Sequence, residues 1–112
     1  MPATDTSDGF TLLPNGNFLI NDGDKEPIYR EYSGTTGNLV SGGLVVNLAA
    51  FGLGFTKGTG VATAPDWQSL YFIADIDSPQ TLVQTDLTGQ LIGTQLINNN
   101  STSIEDIDVV IP

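Results

Sequence analysis

Cysteine and histidine are both absent from this chain of 112 residues. Without cysteine there can be no disulfide bond, thiolate zinc site or cysteine nucleophile, and without histidine there can be no catalytic triad that uses imidazole. Long hydrophobic runs are missing too, because the longest uninterrupted apolar stretches have four or five residues. A transmembrane helix needs about 20 such residues. The sequence therefore predicts no such helix and excludes several common kinds of enzyme site.

Basic residues are scarce: Lys25, Arg30 and Lys57 stand against 13 acidic residues, which gives a net charge of −10. This charge repels phosphate backbones and anionic lipid headgroups, so we expect neither nucleic acid nor membrane insertion. It is compatible with divalent cations or a cationic partner, and it equally serves solubility. The start MPATDTSDGF lacks the basic and apolar regions of a signal peptide. The chain is then either not exported through one or a processed segment, and we expect an extracellular or periplasmic location.

The chain repeats itself with a period of about 50 residues. Residues 10–24 (FTLLPNGNFLINDGD) and 60–77 (GVATAPDWQSLYFIADID) share an apolar or small strand, a Pro-Asn or Pro-Asp turn, an apolar strand and two aspartates one residue apart. The pair Thr36-Gly37 recurs as Thr88-Gly89, 52 residues later. A third copy begins at 104–112 (IEDIDVVIP). The sequence thus predicts two units and the start of a third.

Within each copy the local signals are those of β-strands. Short apolar runs alternate with clusters of Gly, Asn, Asp and Pro, and Leu70–Ile73 is continuously apolar, as in a strand covered on both faces. The Thr-Gly pairs predict hairpins between a third and a fourth strand of each unit. Residues 49–60 are too rich in glycine for a stable helix and are predicted to form a loop. Four strands in every 40–50 residues is the spacing of a β-propeller blade.

The segments LPNGNFLI…DGD and GVATAPD..SLYF resemble blades of the β-propeller superfamily that includes NHL-type, SMP-30/gluconolactonase-like, arylsulfotransferase-like and phytase-like repeats. The resemblance implies an all-β fold of two consecutive four-stranded antiparallel blades and the first strand of a third. Its units lie at about 10–48, 58–99 and 104–112, after a flexible segment 1–9. A small β-sandwich is the alternative. Propellers close with about four to eight blades, so two blades predict either self-association or a longer parent chain.

Two acidic turns are candidate calcium sites, since calcium binds six to eight oxygen ligands at about 2.3–2.6 Å. The first of them, counted from Asp22, is not an EF-hand loop, because Pro27 and Ser33 stand where that loop requires Gly and Glu. Ordinary turn chemistry of Asp and Gly is the competing explanation. The candidate metal ligands are Asp22, Asp24, Glu26, Asp75 and Asp77.

Two further segments invite a chemical interpretation. The cluster of Glu105, Asp106 and Asp108 resembles the carboxylate strand of phytase-like propellers, without its glycine, and a solvated strand face explains it equally well. The glycine-rich segment 52–60 does not have phosphate-loop spacing, because Lys57 precedes Gly58. A connection between two units is the better interpretation of that segment.

Trp67 aligns with Gly16 of the first copy and is predicted to lie in a turn. With Phe51, Phe55 and Tyr71 it is a candidate for a ligand or partner contact, and packing over a neighbouring unit or subunit is the alternative.

Two functions are compatible with these features. The first is a non-enzymatic repeat module that binds a ligand or a protein partner through acidic rim loops and self-association. The second, implied by the resemblance, is a fragment of a calcium-dependent phytase-like or lactonase-like hydrolase. In that case a bound Ca²⁺ polarises a phosphoryl or ester oxygen. We assign no catalytic residue from the sequence.

Overall fold

The computed structural model describes residues 9–21, 26–75 and 80–97. This part of the chain is all-β and forms two consecutive four-stranded antiparallel sheets, which confirms the predicted fold class. No helix in it is long and apolar enough to cross a membrane. Residues 1–8 of the predicted N-terminal segment 1–9 and the third unit at 104–112 lie outside the described residues. Sheet 1 contains β1 (Phe10–Leu12), β2 (Phe18–Asn21), β3 (Ile28–Tyr32) and β4 (Val45–Asn47), and sheet 2 contains β5 (Gly58–Thr63), β6 (Ser69–Ala74), β7 (Gln80–Asp86) and β8 (Leu91–Ile97).

Each sheet is a simple meander, in which every strand pairs with the next one along the chain. The first hairpins of the two sheets have the same construction. Gly16 and Trp67 both have left-handed backbones, with φ of 89° and 60°, which supports their alignment in the sequence. The second turn is one residue longer than the first. The backbone bonds that close the turns are Leu13 N to Asn17 O (2.8 Å) and Gly16 N to Leu13 O (3.0 Å) in sheet 1, and Ala64 N to Ser69 O (2.9 Å) and Trp67 N to Ala64 O (2.9 Å) in sheet 2.

The hairpins after β3 and β7 also match each other. The Oδ1 atom of Asp86 accepts bonds from the backbone N–H of Thr88 (2.8 Å) and Gln90 (3.0 Å). Ser33 occupies the same place in sheet 1, where its Oγ accepts from the backbone N–H groups of residues 35 and 36, each at 3.1 Å. The hairpins predicted at the two Thr-Gly pairs are therefore present.

The fourth strand of sheet 1 departs from the simple repeat. Leu39 pairs with Tyr32 in an isolated bridge, but regular pairing resumes only at Val45. Between them the chain makes a second turn, in which Gly42 has φ of 70° and Gly43 N donates to Val40 O at 3.1 Å. The predicted hairpin at Thr36-Gly37 is therefore followed by an isolated bridge and a second turn before the fourth strand begins.

The linker between the sheets ends at Gly58, the residue at which the second unit is predicted to begin, so the loop predicted at 49–60 is shorter by its last three residues. A 3₁₀ helix at Leu48–Phe51 begins where Asn47 Oδ1 accepts from Ala49 N (3.0 Å) and ends at Gly52, and β5 begins at Gly58, inside the segment predicted as a loop. Gly58 serves the packing of the sheets, because a Cβ at this position would lie 2.7 Å from the Tyr29 hydroxyl. A glycine in β5 is therefore explained by packing, because it lets a tyrosine of the other sheet approach the strand closely.

Residues directly opposite in an antiparallel pair share one face of the sheet, and neighbours along a strand alternate between faces. Next to the first turn of each sheet, the first paired residues are Leu12–Phe18 in sheet 1 and Thr63–Leu70 in sheet 2. Phe18 therefore occupies the same position in sheet 1 as Leu70 does in sheet 2. The strand registers give the other equivalent positions. We define the front face by Leu19, Tyr29 and Glu31 in sheet 1 and by the corresponding Tyr71, Leu82 and Gln84 in sheet 2. We define the back face by Phe18, Ile20, Arg30 and Tyr32 in sheet 1 and by the corresponding Leu70, Phe72, Val83 and Thr85 in sheet 2.

The core lies between the front face of sheet 1 and the back face of sheet 2. The Tyr29 and Phe72 rings meet edge to face with centroids 4.8 Å apart, and the Tyr29 hydroxyl donates to Thr59 O at 2.9 Å. At the sheet edge the hydroxyls of Thr11 and Thr63 lie 2.9 Å apart. The buried apolar residues of this core are Leu13, Leu19, Tyr29, Val46, Leu48, Phe55, Val61, Leu70, Phe72, Ala74 and Val83.

Candidate functional site

The predicted calcium ligands fall in the connections between β2 and β3 and between β6 and β7. Asp22, Asp24 and Asp77 lie outside the described residues, as do Glu105, Asp106 and Asp108. Glu26 is exposed, and its backbone O accepts a bond of 2.7 Å from Asn21 Nδ2. Over residues 9–21, 26–75 and 80–97, no three Asp or Glu side chains come together as a metal site would require. Calcium binding by the full loops stays a prediction.

Asp75 follows β6 directly and has a left-handed backbone with φ of 69°. Its Oδ1 accepts from Thr56 N at 3.1 Å, its own N–H donates to Lys57 O at 2.8 Å, and its carbonyl accepts from Gln80 Nε2 at 2.9 Å. The residue thus ties the start of β5, the end of β6 and the start of β7 together. Asp is suited to this position, because it tolerates the left-handed region and can bond nearby backbone groups.

Glu31 is a feature that sequence reasoning missed. It lies on the front face of sheet 1, between the two sheets, and is only 7% exposed. Its carboxylate accepts from Asn17 Nδ2 at 2.7 Å, from Asn15 Nδ2 at 2.9 Å and from Leu44 N at 2.8 Å. The bond from Asn17, followed by the bond from Leu44, holds the pKa of Glu31 below its ordinary value, against the opposing effect of burial. The carboxylate is therefore charged, and neutral N–H donors stabilise it.

A small cavity of about 200 Å³ opens beside this carboxylate. Ligand pockets usually measure about 300–1,000 Å³, so this one admits only a very small molecule. The three donors occupy most of the acceptor positions on the Glu31 carboxylate. Their hydrogen bonds connect β3 to the first turn and to the loop before β4. Glu31 thus acts as a structural anchor. The cavity is lined by Leu13, Pro14, Asn15, Glu31, Leu44 and Leu87.

The four aromatic residues considered as a joint contact are not brought together. Phe55 is buried in the core and Phe51 packs against it, both before β5 begins. Trp67 is 46% exposed in the turn after β5 ends, so the six residues of that strand, about 20 Å in length, separate it from Phe55. Tyr71 is half-buried on the front face of sheet 2. Trp67 therefore does not share one contact surface with Phe55.

Within residues 9–21, 26–75 and 80–97, parts of two apolar sheet surfaces are uncovered, and they form the candidate binding site. The first is the part of the back face of sheet 1 around Phe10 and Val45, which are 65% and 53% exposed, whereas Tyr32 on the same face is buried. Leu12 is exposed on the same face, and the rings of Phe10 and Phe18 meet edge to face with centroids 6.1 Å apart. Hydrophobic side chains of this size are normally covered, so their grouping on one face indicates a contact surface.

The second uncovered surface is part of the front face of sheet 2. Tyr71, Leu82 and Gln84 are half-buried there, whereas the corresponding residues of sheet 1 are buried. Ile73, which lies beside Leu82 on the same face, is buried, so the uncovered part is the area around the other three residues. A shallow depression of about 300 Å³ runs across β6, β7 and β8 at this place. It is lined by Tyr71, Leu82, Gln84, Gly93, Thr94 and Gln95.

Comparison with known proteins adds no family to this description. No protein-family model matches the chain, and a search of curated proteins found no match.

Proposed function

We propose that this protein is a non-enzymatic β-propeller-like repeat module that binds a protein partner through its two uncovered sheet faces. The observation that supports the proposal is the packing of its two sheets. The front face of sheet 1 covers the back face of sheet 2. Among the described residues, Phe10, Leu12 and Val45 are exposed on the back face of sheet 1, and Tyr71, Leu82 and Gln84 are only half-buried on the front face of sheet 2. Blades in a propeller pack on one another in this repeated manner, with each sheet between two neighbours.

The uncovered faces have the composition of a contact surface rather than of a solvated one. Phe10, Leu12 and Val45 contribute exposed apolar area to the first face. Tyr71 and Leu82 contribute a half-buried aromatic ring and an aliphatic side chain to the second. Aromatic and large apolar anchors of this kind supply most of the binding energy of protein interfaces.

Partner binding is the function that we put ahead of the calcium-dependent hydrolase. Of the five candidate ligands, the structure describes Glu26 and Asp75, and one carboxylate oxygen of Asp75 is bonded to a backbone N–H. The acidic rim loops are part of the proposal only as a source of charge. Their described members, Glu26 and Asp75, lie next to strand ends, whereas the apolar contact surfaces lie on the faces of the sheets.

Two measurements on the full chain test this function together. Sedimentation gives the mass, and the fluorescence of the dye ANS reports apolar surface that is open to solvent. A module with exposed apolar faces either self-associates or, as a monomer, binds ANS. Replacing Phe10 and Val45 by serine is expected to weaken whichever of these two properties the parent chain has. A monomer that does not bind ANS would contradict the proposed function.

A further inference from the structure

We propose that the partner is a second copy of this chain, whose back face of sheet 1 seats on the front face of sheet 2. This inference rests on the proposed function and identifies the partner that the two faces recognise. It follows from the contact inside the chain, where a front face already packs on a back face. The two uncovered faces are also one back face and one front face, but here the back face belongs to sheet 1 and the front face to sheet 2.

The contact inside the chain serves as a template for the contact between copies. Tyr29 meets Phe72 at the centre of the internal interface. By the strand registers, Leu82 occupies the position of Tyr29, and Ile20 occupies the position of Phe72. A second copy placed by the same relation therefore packs its Ile20 on Leu82. Both side chains are aliphatic and half-buried in the single chain.

The charges of the two faces favour this partner. A chain with net charge −10 repels its copies unless the contact surfaces avoid carboxylates. Glu31 lies on the covered front face, whereas the corresponding residue of the uncovered front face is the neutral Gln84. Asp86 ends β7, but its carboxylate is engaged in capping the next hairpin. The back face of sheet 1 carries Arg30 and, in its strands, no acidic residue.

A contact between two different faces is heterologous, so each copy still offers one free face of each kind after the first contact. Such contacts continue until they close a ring or form a filament. Propellers close with about four to eight sheets, which corresponds to about two to four copies of a chain that supplies two sheets. We therefore expect a closed ring of this size in solution.

Two charged substitutions, one on each face, test the arrangement. Leu82→Lys alters the front face of sheet 2, Ile20→Glu alters the back face of sheet 1, and Leu53→Lys is the matched control, because Leu53 is exposed in the linker outside both faces. Mass is measured by sedimentation and light scattering, and folding by circular dichroism. Tyr71→Lys replaces Leu82→Lys if the latter variant does not fold.

The parent chain and Leu53→Lys are expected to have a mass of about two to four times 11.8 kDa. Each face variant alone is expected to be a monomer. An equimolar mixture of the two face variants is expected to associate again, because each contributes one intact face and the altered faces carry opposite charges. Only a contact between unlike faces gives this recovery.

Several results would overturn the inference. A parent chain that is a monomer across the concentration range removes the second copy as partner, and ANS binding by that monomer would still leave the proposed function standing. Loss of association in one face variant but not in the other indicates a contact between like faces. Failure of the mixture to associate, with both variants folded, also rejects the arrangement.

Discussion

The ring of Tyr29 meets the ring of Phe72 edge to face, with centroids 4.8 Å apart, although the two residues belong to different faces of two similar sheets. The residue of sheet 1 that corresponds to Phe72 is Ile20, which is directed away from this interface. The repeat is thus packed front to back, in the way that further units would be added. This relation is the observation on which the proposed function rests.

Trp67 occupies a backbone position that suits glycine. A bulky residue in the left-handed region costs about 1–2 kcal/mol, and Trp67 has φ of 60° where the first turn has Gly16. We expect Trp67→Gly to raise the free energy of unfolding by about 1 kcal/mol, as measured by urea denaturation. The control is Gly16→Ala, which should lower it by about 1 kcal/mol, because a Cβ at Gly16 meets no atom within 4 Å and only the backbone is strained.

A loss of stability in Trp67→Gly would show that the indole makes contacts that outweigh the backbone cost. Because the mechanism concerns the single chain, the comparison is made at a concentration at which both proteins have the same mass.

Glu31 makes stability depend on pH. Its pKa is lower in the folded than in the unfolded chain, so its charged form stabilises the fold. This contribution is complete above the ordinary value of 4.5 and is lost as the pH falls through the lower folded pKa. We expect Glu31→Gln to lower the free energy of unfolding at pH 7 by about 1–3 kcal/mol, because its amide N–H₂ cannot accept from the donors around it.

Unfolding measured at several pH values below 5 provides the check for Glu31. The variant should lose less stability than the parent chain on acidification. Asp86, whose pKa is also lowered by its bond to Thr88 and the hairpin N–H groups, is the comparison on an exposed turn. Asp86→Ser, which copies Ser33, should leave the Glu31 contribution in place. Equal acid sensitivity of Glu31→Gln and the parent chain would contradict the anchoring role.

Replacing either of two threonines of β5 by valine is expected to change the free energy of unfolding, but in opposite directions. Among the described residues, nothing bonds the buried hydroxyl of Thr59, so Thr59→Val should raise the free energy of unfolding by about 1 kcal/mol. The hydroxyl of Thr63 donates to Leu12 O at 2.8 Å and links the two sheets. Thr63→Val should therefore lower the free energy of unfolding by about 1 kcal/mol. The same sign for both variants would contradict this assignment of hydrogen bonds.

A substitution at Asp75 distinguishes a role in the turn from a role in calcium binding. Asn tolerates the left-handed backbone and keeps an oxygen acceptor for Thr56 N, so Asp75→Asn should change the free energy of unfolding by less than about 0.5 kcal/mol. Thermal unfolding of both proteins is followed with and without millimolar calcium. A calcium-dependent rise in Tm that disappears in Asp75→Asn would contradict the turn role, because a ligand that binds the native state must stabilise it.

The sequence predicted the features that local chemistry determines. The Pro-Asn-Gly and Thr-Gly turns, the meander order and the alignment of Trp67 with Gly16 follow from residues close together in the chain. It did not reveal which face packs on which, because Phe18 and Leu19 are both apolar and point to opposite sides of β2. It also missed the interruption before β4, which depends on the bond between Glu31 and Leu44, 13 residues apart.

The most direct test of the front-to-back packing is the measurement of nuclear Overhauser effects from the Tyr29 ring to the side chains of β6. We expect strong effects to Phe72 and to the adjacent β5 backbone around Thr59. Effects from Tyr29 to Tyr71 instead, with none to Phe72, would place the opposite face of sheet 2 against sheet 1. That result would contradict the packing of the front face of sheet 1 on the back face of sheet 2.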